Sequence, residues 1–278
     1  MERAFRTWSA LTAVDVQRIC DKTTPEEYSV GGLSKGEHLP EYTSALNGKT
    51  VILTHEAQKW AYRFIESRKL AWSEADEVER EAVCNIHQLP GKPKIFFVQH
   101  YCPKSTPPEA HTLVLDFDTG RATMIIAKIN HPRTPTQVQR EFLFCEIQGI
   151  PVTGEPHDFT EDLVGTAITW TYIENAPKIK HIYSAPLFYT YTGNFGGLWM
   201  ASNPANYVKI TDNVYIFSMV EERLTGVQGL FLINMEILHD VGSFFGCHAV
   251  GLECYTVGAK GELASMETTS EEYQQMML

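Results

Sequence analysis

From Asn47 onward the chain is written almost entirely in short runs rich in β-branched and aromatic residues. The first group is TVILTH, WAYRFI, KLAWSE, AVCNIHQL, KIFFVQHY, HTLVLDFD and RATMIIAKI. The second is TAITWTYI, KIKHIYSA, LFYTYT, YVKIT, NVYIFSMVEE, GVQGLFLINM, FFGCHAVGL and LECYTVG. Runs of this type, at a spacing of about 8 to 12 residues and joined by turns such as Asp118-Thr119-Gly120, specify antiparallel strands. No segment between them is long enough for the helical crossover that a parallel strand pair requires. The chain is thereby restricted to all-β sandwiches or barrels. With 278 residues it can build two of them, each with its own core.

A Gly- and Pro-rich break, IPVTGEPHD at 150–158, separates the two groups. The expected division is an N-terminal arm at 1–45, a first barrel at 46–150, a second at 157–261 and a flexible acidic tail at 262–278. A short amphipathic helix is expected in the arm around VDVQRIC, ahead of a Gly- and Pro-punctuated segment that drapes over a core. The halves resemble each other. NGKTVILTHEAQKWAYRF (47–64) matches VGTAITWTYIENAPKIKHIY (164–183), KIFFVQHY matches VYIFSMVEE, and HTLVLDFD matches GLFLINME, at offsets of about 117 to 120 residues. Such a period fits a duplicated domain rather than a solenoid. The expectation is two tandem antiparallel barrels of six to nine strands. A closed barrel of about eight strands has room for one small ligand.

The charge balance narrows the partners. With 23 basic and 34 acidic residues, a net −11, the chain lacks the concentrated positive charge that nucleic-acid or anionic-membrane binding uses. It has no apolar stretch of about 18 residues, and MERAFRTWSALTAV has no secretory pattern, so a soluble cytoplasmic protein is expected. Six cysteines without a CxxC pair read as reduced thiols. The ten histidines form no HExxH and no pair at zinc-ligand spacing with a third ligand, so no metal is expected. Neither FGGLW at 195–199 nor any Gly-x-Ser-x-Gly elbow offers a nucleotide site or a nucleophile, so no cofactor is expected. Pairing into a homodimer is left open.

Several motifs resemble a known family. TYIENAPKIKHIY, NVYIFSMVEERLTG and ILHDVGSFFG are similar to the lipocalin-like (calycin) barrel of the molybdenum cofactor biosynthesis protein F family. LNGKTVILTHEAQKWAYRF and TLVLDFDTG resemble the companion N-terminal domain of that family. A more distant resemblance is to bacterial phenolic acid decarboxylases. Their Tyr-Thr-Tyr strand falls on Trp170-Thr171-Tyr172, their Ser-Trp-x-Glu strand on Ser218-Met219-Val220-Glu221, and their Leu-His-Gly run on Leu238-His239-Asp240. The arginine that holds the substrate carboxylate in that family would fall at Leu198, before Trp199. Without a cation there, a carboxylate substrate loses its strongest contact.

The candidate site is therefore a proton-transfer kit in an apolar cup. Alternation along a strand puts Ile168, Trp170, Tyr172 and Glu174 on one face. Glu221, Tyr172 and His239 are the candidate catalytic groups; Trp170, Glu174, His181, Tyr183, Tyr189, Trp199 and Phe245 are the candidate ligand-binding ones, with Tyr191 as a further lining aromatic. A carboxyl such as Glu221 among aromatics is expected to have its pKa raised by desolvation, which suits it to donate a proton near neutral pH. His55, Tyr62, Trp72, Gln99 and His100 are the corresponding polar and aromatic residues of the first barrel. The reading is a cofactor-independent lyase or cyclase of natural-product metabolism. It would act by dehydration, cyclisation or a Diels-Alder-type closure on a hydrophobic phenolic, polyketide or terpenoid ligand. A molybdenum-cofactor binding or accessory protein, and a non-catalytic carrier, are the alternatives.

Overall fold

The computed structural model describes residues 11–75, 77–131, 134–194, 198–221, 226–248 and 251–267, with only the backbone at 194, 198, 199 and 248. The apolar runs become strands, and the strands close into two lipocalin-like antiparallel barrels of eight strands each. The first comprises β1 (Thr50–His55), β2 (Gln58–Glu66), β3 (Lys69–Glu74), β4 (Arg80–Leu89), β5 (Lys92–Cys102), β6 (Glu109–Asp116), β7 (Arg121–Ile129) and β8 (Val138–Ile147). It closes where β8 meets β1, pairing Ile147 with Leu53. The short β9 (Asp158–Phe159) adds to the outside of the second barrel.

That barrel comprises β10 (Thr166–Thr171), β11 (Ile179–Ala185), β12 (Phe188–Asn194), β13 (Leu198–Thr211), β14 (Val214–Val220), β15 (Gln228–Asn234), β16 (His239–His248) and β17 (Gly251–Leu263). It closes by pairing β17 with β10. The internal repeat holds strand for strand: β5 and β14 are each the fifth strand of their barrel, β6 and β15 each the sixth. The last strand runs through Leu263, and the Ala264 amide donates to the Ala167 carbonyl. Residues 262 and 263, expected in the tail, thus belong to the barrel, while 268–278 lie outside the described residues.

Side-chain alternation sorts each strand into an inner and an outer face. In β5, Phe96 and Val98 point into the first barrel, while Ile95 and Phe97 point out and meet Val208, Ile216 and Leu230 of the second. The two barrels thus share an apolar interface in addition to their own interiors. This explains β14 and β15, whose residues are buried without exception. A strand covered on both faces reads as a continuous apolar run, as VYIFSMV does. Polar ties cross the same interface: the Gln99 amide donates to the Phe244 carbonyl (3.1 Å) and the Arg140 guanidinium to Ser218 Oγ (3.0 Å).

The arm begins with α1 (Ala13–Lys22), capped by Thr12 and Asp15 in a reciprocal box, with Val16 and Cys20 one turn apart on its buried face. After α2 (Pro25–Tyr28) the chain crosses the second barrel as a strap. A methyl group at Gly31 would overlap the Tyr255 ring, and one at Gly36 the Tyr172 carbonyl, so glycine lets the strap lie flush. His38 Nε2 sits 2.9 Å from Glu174 Oε1, and the Glu174 amide donates to Glu37 Oε2. No disulfide joins any of the six cysteines, which are all buried. Among the described residues no helix is long and apolar enough to cross a membrane.

Candidate functional site

The second barrel keeps a cavity of about 350 Å³ beneath the strap. Its wall carries Tyr172 at the end of β10, Ile179 and His181 from β11, and Tyr189 and Tyr191 from β12. Met219 and Glu221 on the β14 face, Phe231 from β15, Phe244 from β16 and Leu33 from the strap complete it. The inner face of β14 reads Tyr215, Phe217, Met219, and Glu221 is the next position of that parity, just past the strand end. The cavity surface is almost wholly apolar, which sharpens the effect of each polar atom facing it.

Burial sets the protonation states. The His181 ring is pushed down to about 3, so it is a neutral imidazole at physiological pH, and its Nδ1 has no hydrogen-bond partner among the described residues. Burial likewise pushes the Tyr172 and Tyr189 phenols well above their ordinary range, keeping both as hydroxyls. His181 packs edge-on to Tyr189 (5.4 Å between centroids) and Phe231 (6.1 Å). A neutral imidazole, phenolic hydroxyls and one carboxyl thus face a common apolar space. That set can donate to an oxygen, accept from a hydroxyl, and move a proton between them.

Several expected residues sit elsewhere. Trp170 and Tyr183 point into the barrel but belong to the packed core below the cavity. Glu174 leaves the inner face because β10 ends at Thr171 and a turn with Asn175 at φ 63° follows; its side chain is 59% exposed and clasps His38. His239 is half-buried on the outward face of β16, its Nδ1 against the Asp240 carbonyl. Phe245 also points outward and packs beside Tyr101 of the first barrel. The Trp199 and Leu198 side chains lie outside the described residues, as does the Phe195-Gly196-Gly197 bend. In the first barrel, Tyr62 and Trp72 point inward with His100, whereas Gln99 turns out to the partner barrel and His55 binds the Phe144 carbonyl.

The inward member of the Leu238-His239-Asp240 run is Asp240. It pairs across the sheet with Ile233, an interior residue, and is 1% exposed. Burial raises its carboxyl well above the usual range, against the opposing effect of the Ala259 amide, which donates to Oδ1 at 2.7 Å. Burial thus favours the neutral acid at Asp240, which lies near the Tyr172 and Tyr183 phenols. An acid whose folded pKa is raised binds a proton that the unfolded chain releases, so it makes stability fall as pH rises above the ordinary aspartate value. Asp240→Asn, which mimics the protonated form, will be at least as stable as wild type at pH 8, and in urea titrations the difference in its favour will grow from pH 5 to 8. A wild-type slope retained in the variant would show that Asp240 is ionised.

No curated protein matches the chain. Among solved structures it is similar to a protein of unknown function from the DUF3598 family of Nostoc punctiforme, at 10% identity and a TM-score of 0.30, covering 77% of this chain and 94% of that one. The MoaF N-terminal domain matches residues 27–131, spanning the strap and most of the first barrel, and the MoaF C-terminal domain matches residues 157–268, the whole second barrel. On these two matches, the chain belongs to the MoaF family.

Proposed function

We propose that the second barrel takes up an uncharged, largely apolar small molecule bearing a hydroxyl or carbonyl and acts on it by proton transfer, without a cofactor. The observation that carries this reading is the pairing of an apolar 350 Å³ cavity with His181, a fully buried imidazole whose Nδ1 is unmet among the described residues. A cavity of this volume is at the lower end of those that hold drug-sized ligands. In the proposed chemistry Glu221 exchanges the proton, Tyr172 donates to the oxygen on which charge develops, and His181 holds a ligand hydroxyl. The aromatic walls would fold the ligand for dehydration, cyclisation or pericyclic closure, as in a lyase or cyclase of secondary metabolism.

The family name supports a second reading, a binding or accessory role around the molybdenum cofactor. That ligand carries phosphate, and no Lys or Arg is among the described residues lining the cavity. An uncharged ligand agrees better with such a wall.

Native mass spectrometry of protein purified from its own cells identifies the bound molecule, and turnover of that molecule tests the chemistry. Glu221→Gln is expected to lower the rate at least 100-fold, and Tyr172→Phe about tenfold or more, with binding retained. Full product formation by both variants removes the acid and oxyanion roles. Tight binding without wild-type turnover leaves a carrier, and capture of a phosphorylated pterin favours the second reading.

A further inference from the structure

We propose that the first barrel holds a transition-metal cation of the zinc class between His100, Cys102 and His111. The strands make the site. His100 and Cys102 are alternate residues on the inner face of β5, and Glu109 and His111 are alternate residues on β6. The register sets His100 opposite His111 and Cys102 opposite Glu109, so a His-x-Cys pair faces a Glu-x-His pair across one ladder.

The ligand atoms of His100, Cys102 and His111 all lie within 4.8 Å of one another, and all three residues are buried. In a tetrahedral site with metal–nitrogen bonds of about 2.0 Å and metal–sulfur bonds of about 2.3 Å, donors stand about 3.5 Å apart. Cys102 Sγ lies 3.9 Å from the His100 ring at Nδ1, and the contact of that nitrogen with the Tyr101 carbonyl at 3.2 Å leaves Nε2 as the atom to face the ion. Small side-chain rotations bring the set onto one ion.

Two further observations point to a ligand. His100 Nε2 is buried with no hydrogen-bond partner among the described residues, an arrangement that costs about 1 to 3 kcal/mol if nothing ever meets it. His111 is held as a metal-bound imidazole is: Nε2 lies 2.8 Å from Glu109 Oε1, whose other oxygen faces Lys128 Nζ at 3.1 Å. A carboxylate behind the ring fixes its tautomer and leaves Nδ1, now 2.8 Å from the Tyr62 hydroxyl, as the donor. A thiolate with two imidazoles selects zinc, cobalt or copper over magnesium or calcium. Coordination converts the Cys102 thiol to thiolate and releases one proton. Glu109 is 17% exposed, so the cluster lies beside solvent at the barrel mouth rather than at its centre.

The test uses the full chain. Zinc per chain is measured on protein from zinc-supplemented cells, and metal-free protein is then titrated with Co²⁺ and read in the visible and near ultraviolet. The expected result is one metal per chain, with tetrahedral d–d bands and a thiolate-to-cobalt charge-transfer band. Cys102→Ser is expected to abolish that band and Glu109→Gln to weaken binding tenfold to about 100-fold. Glu221→Gln in the other barrel will leave both readouts unchanged. Melting curves establish that each variant is folded; if Cys102→Ser is not, His100→Gln takes its place, with loss of one-to-one binding as its expected result. Neither zinc in the purified protein nor cobalt uptake by folded wild type, or uptake unchanged in the folded ligand variants, would overturn the site and leave a hydrogen-bonded Tyr62–His111–Glu109 chain alone.

Discussion

Acidification from pH 6.5 towards 4 will unfold the protein cooperatively. Burial pushes His87 and His157 down to about 4 and His181 down to about 3, so all three are neutral in the fold. In the unfolded chain each takes up a proton near pH 6.5. The folded state therefore binds fewer protons than the unfolded one in this window. The contribution of these imidazoles to stability is complete above pH 6.5 and drains away as pH falls towards the depressed values. His100, pushed down to about 3 like His181, adds to this uptake, while Asp240, whose carboxyl burial raises, works in the opposite sense and offsets part of it.

A domain stable by about 5 to 15 kcal/mol loses much of that reserve within two pH units. His87 concentrates the effect, because its Nδ1 meets the Pro40 carbonyl of the strap and its Nε2 the Thr256 hydroxyl of β17. Its protonation strains both barrels and the strap together. Tryptophan fluorescence and circular dichroism against pH give the midpoint, and His157→Gln should move it downward. A protein that keeps full stability at pH 4 would show that these imidazoles are charged in the fold.

The second large effect is expected at Phe217. Its ring is fully buried and touches five others, with centroid separations of 4.7 Å to Tyr189, 5.2 Å to Tyr183, 5.4 Å to His181, 5.7 Å to Phe231 and 5.8 Å to Tyr207. Phe217→Ala will cost about 3 to 5 kcal/mol, through lost transfer energy and the hole left among these rings. In thermal melts this amounts to a drop of about 10 °C. Three of the neighbours, His181, Tyr189 and Phe231, also line the cavity, so the hole opens towards the ligand. Phe97→Ala, on the interface between the barrels, is the control: a similar loss of stability with ligand affinity unchanged. Equal ligand affinity in both variants would separate Phe217 from the site.

How far these features could be read from the sequence follows from what fixes each one. The barrels were legible because alternation and turn spacing are local properties, and the repeat reinforced them. Tyr172, His181, Tyr189 and Glu221 fall on inner faces by simple parity from buried neighbours. Parity fails where a strand ends, which is how Glu174 came to face solvent. It is also ambiguous where both faces are buried. His239 and Asp240 are adjacent, and only the pairing of Asp240 with Ile233 decides which of them enters the barrel. Phe245 follows His239 outward by the same rule. Leu33 was out of reach, since nothing local says that an arm preceding the first barrel closes the second. The His100, Cys102 and His111 cluster was hidden for a related reason. Its spacing along the chain matches no metal signature, and the β5–β6 register creates the proximity.

The strap also has a consequence in time. Leu33 and His38 leave the ribosome early, yet Tyr172, Glu174 and Tyr255, against which the strap lies, are made only after the entire first barrel. The vessel is consequently finished last and closed by a segment made before either barrel, so an unfinished chain has no sealed compartment. A C-terminal barrel expressed by itself would be an open bowl with its aromatic floor wetted. The N-terminal residues count as part of the container, and a protein shortened at that end is a different vessel from the one the cell completes.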